Sequence, residues 1–296
     1  MSGNTPLFNR VALIGAGLIG SSLARVIRRE HLAHRIIAYS RKSATRKRIK
    51  ELEIVDTVAN DIASAVQEAD LVVVSVPVAA SADVGRQIGP HLKASAIVTD
   101  TGSVKKSVIQ AMRPHLTDLS RFVPGHPIAG TENSGPDSGF ASLFEGRWCV
   151  LTPSPQTDDN AVQEVRRLWE RAGSKVDTMT PEHHDMVLAI TSHIPHLIAF
   201  NIVGTVADLE NDTKTEVVKY AAGGFRDFTR IAASDPEMWR DVFVENKDAV
   251  LEMLGRFSED LSALQRAIRR GDAAGLETKF KRTRRLHRDV INAKQA

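Results

Sequence analysis

A single cysteine, Cys149, stands in 296 residues, so no disulfide can close within the chain. Such usage fits a reducing compartment. Excess charge is equally scarce: 39 Lys and Arg face 36 Asp and Glu, which gives no reason to expect nucleic acid as a partner. The N-terminus, MSGNTPLFNRVALIGAG, lacks both a charged segment ahead of an apolar run and a small-residue cleavage site, and a cytoplasmic location is expected. Repeats and low-complexity tracts are missing. No convincing strand pattern follows Pro181, and no separate regulatory domain is expected after the last helices. The basic end, KFKRTRRLHRDVINAKQA, reads as a solvated helix face with a frayed tail, because acidic residues balance the charge elsewhere.

One apolar stretch, Met186 to Ala207, approaches the length that spans a bilayer. It carries His193, Pro195, His196 and Asn201, which are costly in hydrocarbon. A helix that is apolar nearly all round is more simply a core or interface helix. The expected partners are therefore a small-molecule substrate and a second copy of the chain, with no membrane and no nucleic acid.

What is present is a regular alternation. VALIGAG, RIIAYS, LVVVSVP, AIVTDT, RFVPGHP and WCVLTP are strand-like, with SKVDTM able to supply one more strand before Pro181. Helix-like stretches such as Ser21–Glu30 and Ala44–Leu52 lie between them. Near-continuous apolar strands alternating with helices predict a parallel sheet covered on both faces. Helical periodicity dominates after Pro181. The expected fold is α/β: residues 1–178 a Rossmann-type doubly wound dinucleotide-binding domain, and 179–296 an all-helical substrate and dimerisation domain.

Gly15-Ala-Gly17-Leu18-Ile19-Gly20 follows the strand VALI and opens a helix. The three glycines serve different physical needs. Gly15 allows a tight turn, Gly17 the close approach of a pyrophosphate, and Gly20 helix–strand packing. Phosphate oxygens then meet unpaired N–H groups at the helix start. Nucleotide-binding sheets usually place Asp or Glu at the end of the second strand, for the ribose hydroxyls. This chain instead reads Ser40-Arg41-Lys42, a hydroxyl and a guanidinium fork suited to a 2′-phosphate. NADP is expected over NAD, although Arg41 and Lys42 also suit a basic, solvated helix start. Val76, Pro77 and Thr101 are expected to complete the cofactor site.

Four segments carry chemistry. They are Thr101-Gly-Ser103-Val-Lys105, Gly125-His126-Pro-Ile-Ala-Gly-Thr131-Glu132, Thr191-Ser192-His193-Ile-Pro-His196, and Gly223-Gly-Phe-Arg-Asp227-Phe-Thr-Arg230-Ile-Ala. Together with the glycine loop they resemble the prephenate/arogenate (cyclohexadienyl) dehydrogenase family, over essentially the whole chain to Met238-Trp239-Arg240-Asp241.

The resemblance implies a general base at His126, which draws the proton from the ring hydroxyl while hydride leaves for the nicotinamide. Imidazole suits that role because its ordinary pKa lies near neutrality. Ser103 reads by position as the cap of a helix beginning at Val104; the resemblance adds a hydrogen bond to the substrate or to His126. Thr131 and Glu132 are either ordinary loop polarity or pocket wall, with Glu132 gating the substrate side chain. His193 and His196 sit on one helical face, yet no matching carboxylate shares it, so no metal is expected. The resemblance assigns His196 and Ser192 to the substrate pocket, with Asp227. Arg230 is expected to hold the ring carboxylate bidentately, against the bland alternative of a surface pair with Asp227 or Asp235. Trp239 is expected to reach a site across a dimer. His183 and His184, beside Glu182 and Asp185, read as a solvated helix start.

The implied reaction is oxidative decarboxylation of prephenate or arogenate, in tyrosine biosynthesis. A β-hydroxyacid or imine reductase on the same plan is the nearest competitor, but it would place Lys or Asp where this chain has His193 and His196. A catalytically silent nucleotide-binding regulator would have no need of Ser103, His126 and Arg230 together.

Overall fold

A computed structural model describes residues 5–209 and 211–292. The frayed tail expected at the basic C-terminus falls on 293–296, and the first four residues of the N-terminal segment on 1–4; both lie outside the described residues.

Six strands form a parallel sheet: β1 (Phe8–Ile14), β2 (Ala33–Tyr39), β3 (Thr57–Val58), β4 (Leu71–Val74), β5 (Ile97–Asp100) and β6 (Phe122–Val123). Their spatial order is β3-β2-β1-β4-β5-β6. This is the doubly wound order, whose crevice for ligands opens beyond the carboxyl ends of β1 and β4, where the winding reverses. The Val- and Ile-rich strands fit a sheet buried on both faces; all of β4 is buried. Each fully buried aliphatic side chain contributes roughly 1.5–3 kcal/mol. β3, two residues without an apolar run, gave no strand signal in the sequence.

Helices α1 (Leu18–Arg29), α2 (Ser43–Glu51), α3 (Ile62–Val66), α4 (Ser81–Ile88), α5 (Lys105–Met112) and α6 (Asp159–Arg171) cover the sheet. α1 starts three residues ahead of the helical stretch expected from sequence. The segment expected as one strand, RFVPGHP, breaks at Pro124, which has no N–H to continue a ladder. β7 (Gly125–Pro127) turns away and pairs antiparallel with β8 (Trp148–Leu151), and β8 pairs parallel with β9 (Lys175–Thr178). WCVLTP and SKVDTM thus belong to a separate three-stranded sheet rather than to the parallel one.

After β9 the described residues are helical: α7 (Pro181–Leu188), α8 (Ile194–Ala207), α9 (Asn211–Tyr220), α10 (Gly223–Thr229), α11 (Pro236–Glu245), α12 (Lys247–Arg270) and α13 (Ala273–Asn292). A five-residue π-turn, Ala189–His193, joins α7 to α8. Pro195 explains it, since the missing N–H deprives the Thr191 carbonyl of its α-helical donor. Pro181–Ala207 is 27 residues long and apolar enough to cross a membrane by length and composition. In the fold its inward side chains include His184, Asp185 and His193.

The core lies in two layers. One packs α1 and α6 on the sheet, with Trp169 fully buried edge-to-face against Phe144 at 5.2 Å between ring centroids. The other packs α3, α4 and α5, and takes in Trp239 and Val242 from α11. The helical half therefore shares core with the sheet. Trp169→Ala is expected to destabilise the protein by about 3–5 kcal/mol, through lost burial and the cavity left behind. Urea unfolding checks this; an unchanged midpoint would contradict the packing described.

Candidate active site

The glycine loop is built as its sequence demands. Gly15 has φ of +97°, and a Cβ there would lie 2.1 Å from the Ser75 carbonyl oxygen. At Gly20 a Cβ would lie 2.3 Å from the Gly15 oxygen, which is the close helix–strand packing anticipated. Gly17 meets nothing within 4 Å and caps α1 without a side-chain hydrogen bond. Open space before uncapped N–H groups fits a dinucleotide pyrophosphate. Leu18 and Ile19 pack on the core from the first turn.

Other expected cofactor residues border the same loop. Val76 touches Gly15 from the end of β4, and buried Thr101 donates its hydroxyl to Ser75 Oγ at 3.0 Å. Pro77 is exposed just beyond. Ser40 is half-buried, while Arg41 and Lys42 are exposed at the start of α2. Arg46, not anticipated, donates to the carbonyls of Ser40 (2.6 Å) and Arg41 (3.0 Å) and lies over the Tyr39 ring. It fixes the backbone that presents the two expected phosphate readers.

The loop after β7 is seated on these helices. Phe140 N–H donates to Ser22 Oγ, and a Cβ at Gly139 would lie 2.1 Å from Ser21 Oγ. Arg25 reaches the Pro136 carbonyl, and Arg48 of α2 grips Asp137 Oδ1 with two nitrogens at 2.8 and 2.6 Å.

Beneath, β7 is pinned by a buried ion pair. Lys105 Nζ bonds Asp100 Oδ2 and the Gly125 carbonyl, and Asp100 also accepts the N–H groups of Gly102 and Gly125. Such a pair is tolerable because every charge has partners; removing one partner costs about 3–5 kcal/mol.

His126 follows on β7, 9% exposed. Its Nδ1 lies 2.9 Å from His184 Nε2. Burial holds its pKa well below the ordinary value, and the nearby charges of His184, Lys105 and His193 push the same way. His184, expected to be solvated, is instead fully buried, and its Nδ1 lies 2.8 Å from Asp185 Oδ1. Asp185, also expected at the surface, is buried and accepts the N–H groups of Lys105 (2.8 Å) and Lys106 (2.9 Å). His183 is exposed.

That contact overturns the expectation for Ser103. The helix begins at Lys105 with Val104 at the cap position and no side-chain cap of its own. A carboxylate from α7 satisfies the first N–H groups instead. Ser103 is half-buried and makes no hydrogen bond to His126 among the described residues.

The π-turn presents the next group. His193 is buried, and its Nδ1 accepts from the Asn246 amide at 3.1 Å, while the same amide reaches the Asp185 carbonyl. Burial lowers its pKa to about 4. His196 donates Nδ1–H to the Ser192 carbonyl and stacks on Trp239, with 3.7 Å between ring centroids. Trp239 packs within its own chain, on α11 beside Phe243. Arg230 is exposed and pairs with Glu132 at 3.3 Å, not with Asp227 or Asp235. Asp227 and Thr131 are exposed; Thr131 Oγ1 accepts from Asn133 N–H.

A glycine loop open to a pyrophosphate and a chain of buried histidines in the same fold leave the family to be settled by comparison. The family model described as "Prephenate dehydrogenase, nucleotide-binding domain" matches residues 23–178, and "Prephenate dehydrogenase, dimerization domain" matches 180–282. The chain belongs to the prephenate dehydrogenase family. It is 43% identical to the cyclohexadienyl dehydrogenase of Zymomonas mobilis, over 94% of this chain and 95% of that one. The structure of Aquifex aeolicus prephenate dehydrogenase in complex with hydroxyphenyl propionate and NAD+ superposes with a TM-score of 0.89 at 35% identity, covering 95% and 98% of the two chains. Synechocystis arogenate dehydrogenase gives 0.80 at 28% identity, covering 95% and 99%. Family membership agrees with the six-stranded parallel sheet and the helical half that follows it.

The buried histidines set an acid limit on stability. His126, His184 and His193 all titrate below the ordinary 6.5 in the fold. On acidification the unfolded chain takes up protons first, so stability is complete above that value and falls as pH drops below it. His193 alone, held at about 4, removes roughly 2 kcal/mol by about pH 5. Urea unfolding at neutral pH and at about pH 5 checks this; equal stability at both would contradict neutral burial of these rings.

Proposed function

We propose that the chain oxidatively decarboxylates prephenate, arogenate or both, with hydride transfer to NAD(P), in tyrosine biosynthesis. The observation that carries the reading is His126: a buried, neutral imidazole, just past the carboxyl end of β6 in the parallel sheet. A bound nicotinamide supplies the hydride acceptor. Everything else falls to the chain's own side chains.

His126 accepts the proton of the ring hydroxyl, for which a neutral ring is required and burial supplies it. Arg230 takes the ring carboxylate in a fork and orients the ring; Glu132, now on that guanidinium, must yield. Loss of carbon dioxide is driven by aromatisation, so the protein contributes position and exclusion of water. Ser103, Thr131, Ser192, His196 and Asp227 complete the pocket wall, and Trp239 backs His196. Gly15, Gly17, Leu18, Ile19, Gly20, Val76, Pro77 and Thr101 hold the dinucleotide.

NADP is favoured because the second strand ends in Ser40, Arg41 and Lys42 with no carboxylate for the ribose hydroxyls. A homodimer through residues 179–296, as the second of two domains, is supported by apolar side chains left exposed on α8, α12 and α13. Among them are Ile202, Val203, Leu261, Ile268, Phe280 and Leu286.

Steady-state assays of prephenate and arogenate, each with NAD and NADP, test the reading. Turnover is expected, with NADP preferred and the preference lost in Arg41→Ala. His126→Asn should lower kcat by roughly 10²–10⁴ while nucleotide binding persists. No turnover in any combination from folded protein would leave only the fold standing.

A further inference from the structure

The pair His184 and Asp185 takes no direct part in hydride transfer or carboxylate binding, yet both are buried and joined to the proposed base. We infer that His184 and Asp185 are positioning residues, which fix His126 in the tautomer protonated on Nδ1 and stabilise the cation formed when it accepts the substrate's proton. This deepens the reading of His126 as general base and rests on it.

The donor–acceptor chain leaves one consistent assignment. Asp185 receives two backbone N–H groups and the His184 ring. Burial pushes its pKa up, but the bonds from His184, Lys105 and Lys106 outweigh this and hold it below the usual carboxylate value. An ionised carboxylate only accepts, so His184 must carry its proton on Nδ1. Neutral His184, its pKa lowered chiefly by burial, then offers a lone pair at Nε2. Across 2.9 Å, His126 must be the donor, from Nδ1. Its Nε2 keeps the lone pair and makes no hydrogen bond among the described residues.

The charge also has somewhere to go. On proton transfer the substrate O–H bond breaks and a His126 Nε2–H bond forms, leaving an imidazolium. Its Nδ1–H already faces the His184 lone pair, and one ring further stands the Asp185 carboxylate. The other ionisable groups around the pair are Lys105 of α5, Asp100 of β5, His193 of the π-turn and the Cys149 thiol on β8. Lys105 is neutralised by its bond to Asp100. His193 is neutral above about pH 4, and burial pushes the Cys149 thiol far up. Asp185 is therefore the one unneutralised negative charge among these groups.

Nitrogen-15 NMR of labelled histidines tests the tautomer without turnover, with His126→Asn supplying the assignment. In wild type at neutral pH, His126 and His184 should both carry the proton on Nδ1. An Nε2–H His126 would overturn the inference. In Asp185→Asn the new amide can donate to His184, reversing the chain, and His126 should switch to Nε2–H.

Kinetics supply the second arm, using the substrate and cofactor pair that turns over best. His184→Leu leaves Nδ1–H without an acceptor and should lower kcat on the order of 10²-fold with KM unchanged. His184→Gln puts an amide oxygen near the lost nitrogen and should stay within about 10-fold of wild type. Both leave the Asp185 cap on α5 in place. Glutamine no better than leucine, or a loss confined to KM, would overturn the inference. Full activity in His184→Leu with none in His126→Asn would reject the relay and leave the general base standing. Activity in His126→Asn would reject the base itself.

Discussion

Two backbone N–H groups at the start of α5 are held by a carboxylate that reaches them from 80 residues away. A helix start presents about half a unit of positive charge and unpaired donors. Most helices meet that need with a neighbouring Ser, Thr or Asp. Here α5 leaves it unmet locally, and Asp185 on α7 fills it. The helical half is thereby registered against the sheet at the place where the nucleotide crevice ends. Its other joints follow from that registration: Asn246 onto the Asp185 carbonyl and His193, and Trp239 into the core beside α4 and onto His196.

Around this joint the buried charges are paired. Lys105 and Asp100 bind one another and three backbone groups between them, so a charge pair that would be costly in isolation instead ties β5, β7 and α5 together. The histidines are buried as neutral rings with ring or amide partners. The result is a site whose hydrogen-bonding directions are set by covalent structure and packing rather than by mobile surface groups.

The sheet and the glycine loop were legible because their signals are local. Apolar strands repeat, glycines fall where backbone must approach backbone, and both survive without knowledge of the partner element. His126 was legible through its segment. His184 and Asp185 were not, because a polar run after Pro181 ordinarily faces water, and the group that buries it lies 58 residues earlier. Ser103 misled for the related reason that a local cap is the commoner solution. The split of RFVPGHP between two sheets turned on Pro124, whose effect depends on whether the strand is central or at an edge. The place of Trp239 rested on tertiary packing that no spacing encodes.

The loop that follows β7 carries Glu132 at one end and is fastened at the other by Arg48, a residue of the helix that follows Ser40, Arg41 and Lys42. The residues proposed to read the cofactor's far end and the loop that carries Glu132 are thus anchored to one short stretch of chain. Under the proposed roles of these residues, selectivity for the two ligands is mechanically shared, not modular. Under those roles, a redesign of nucleotide preference that repacks α2 carries the Glu132 loop with it, and natural drift in either specificity is constrained by the other.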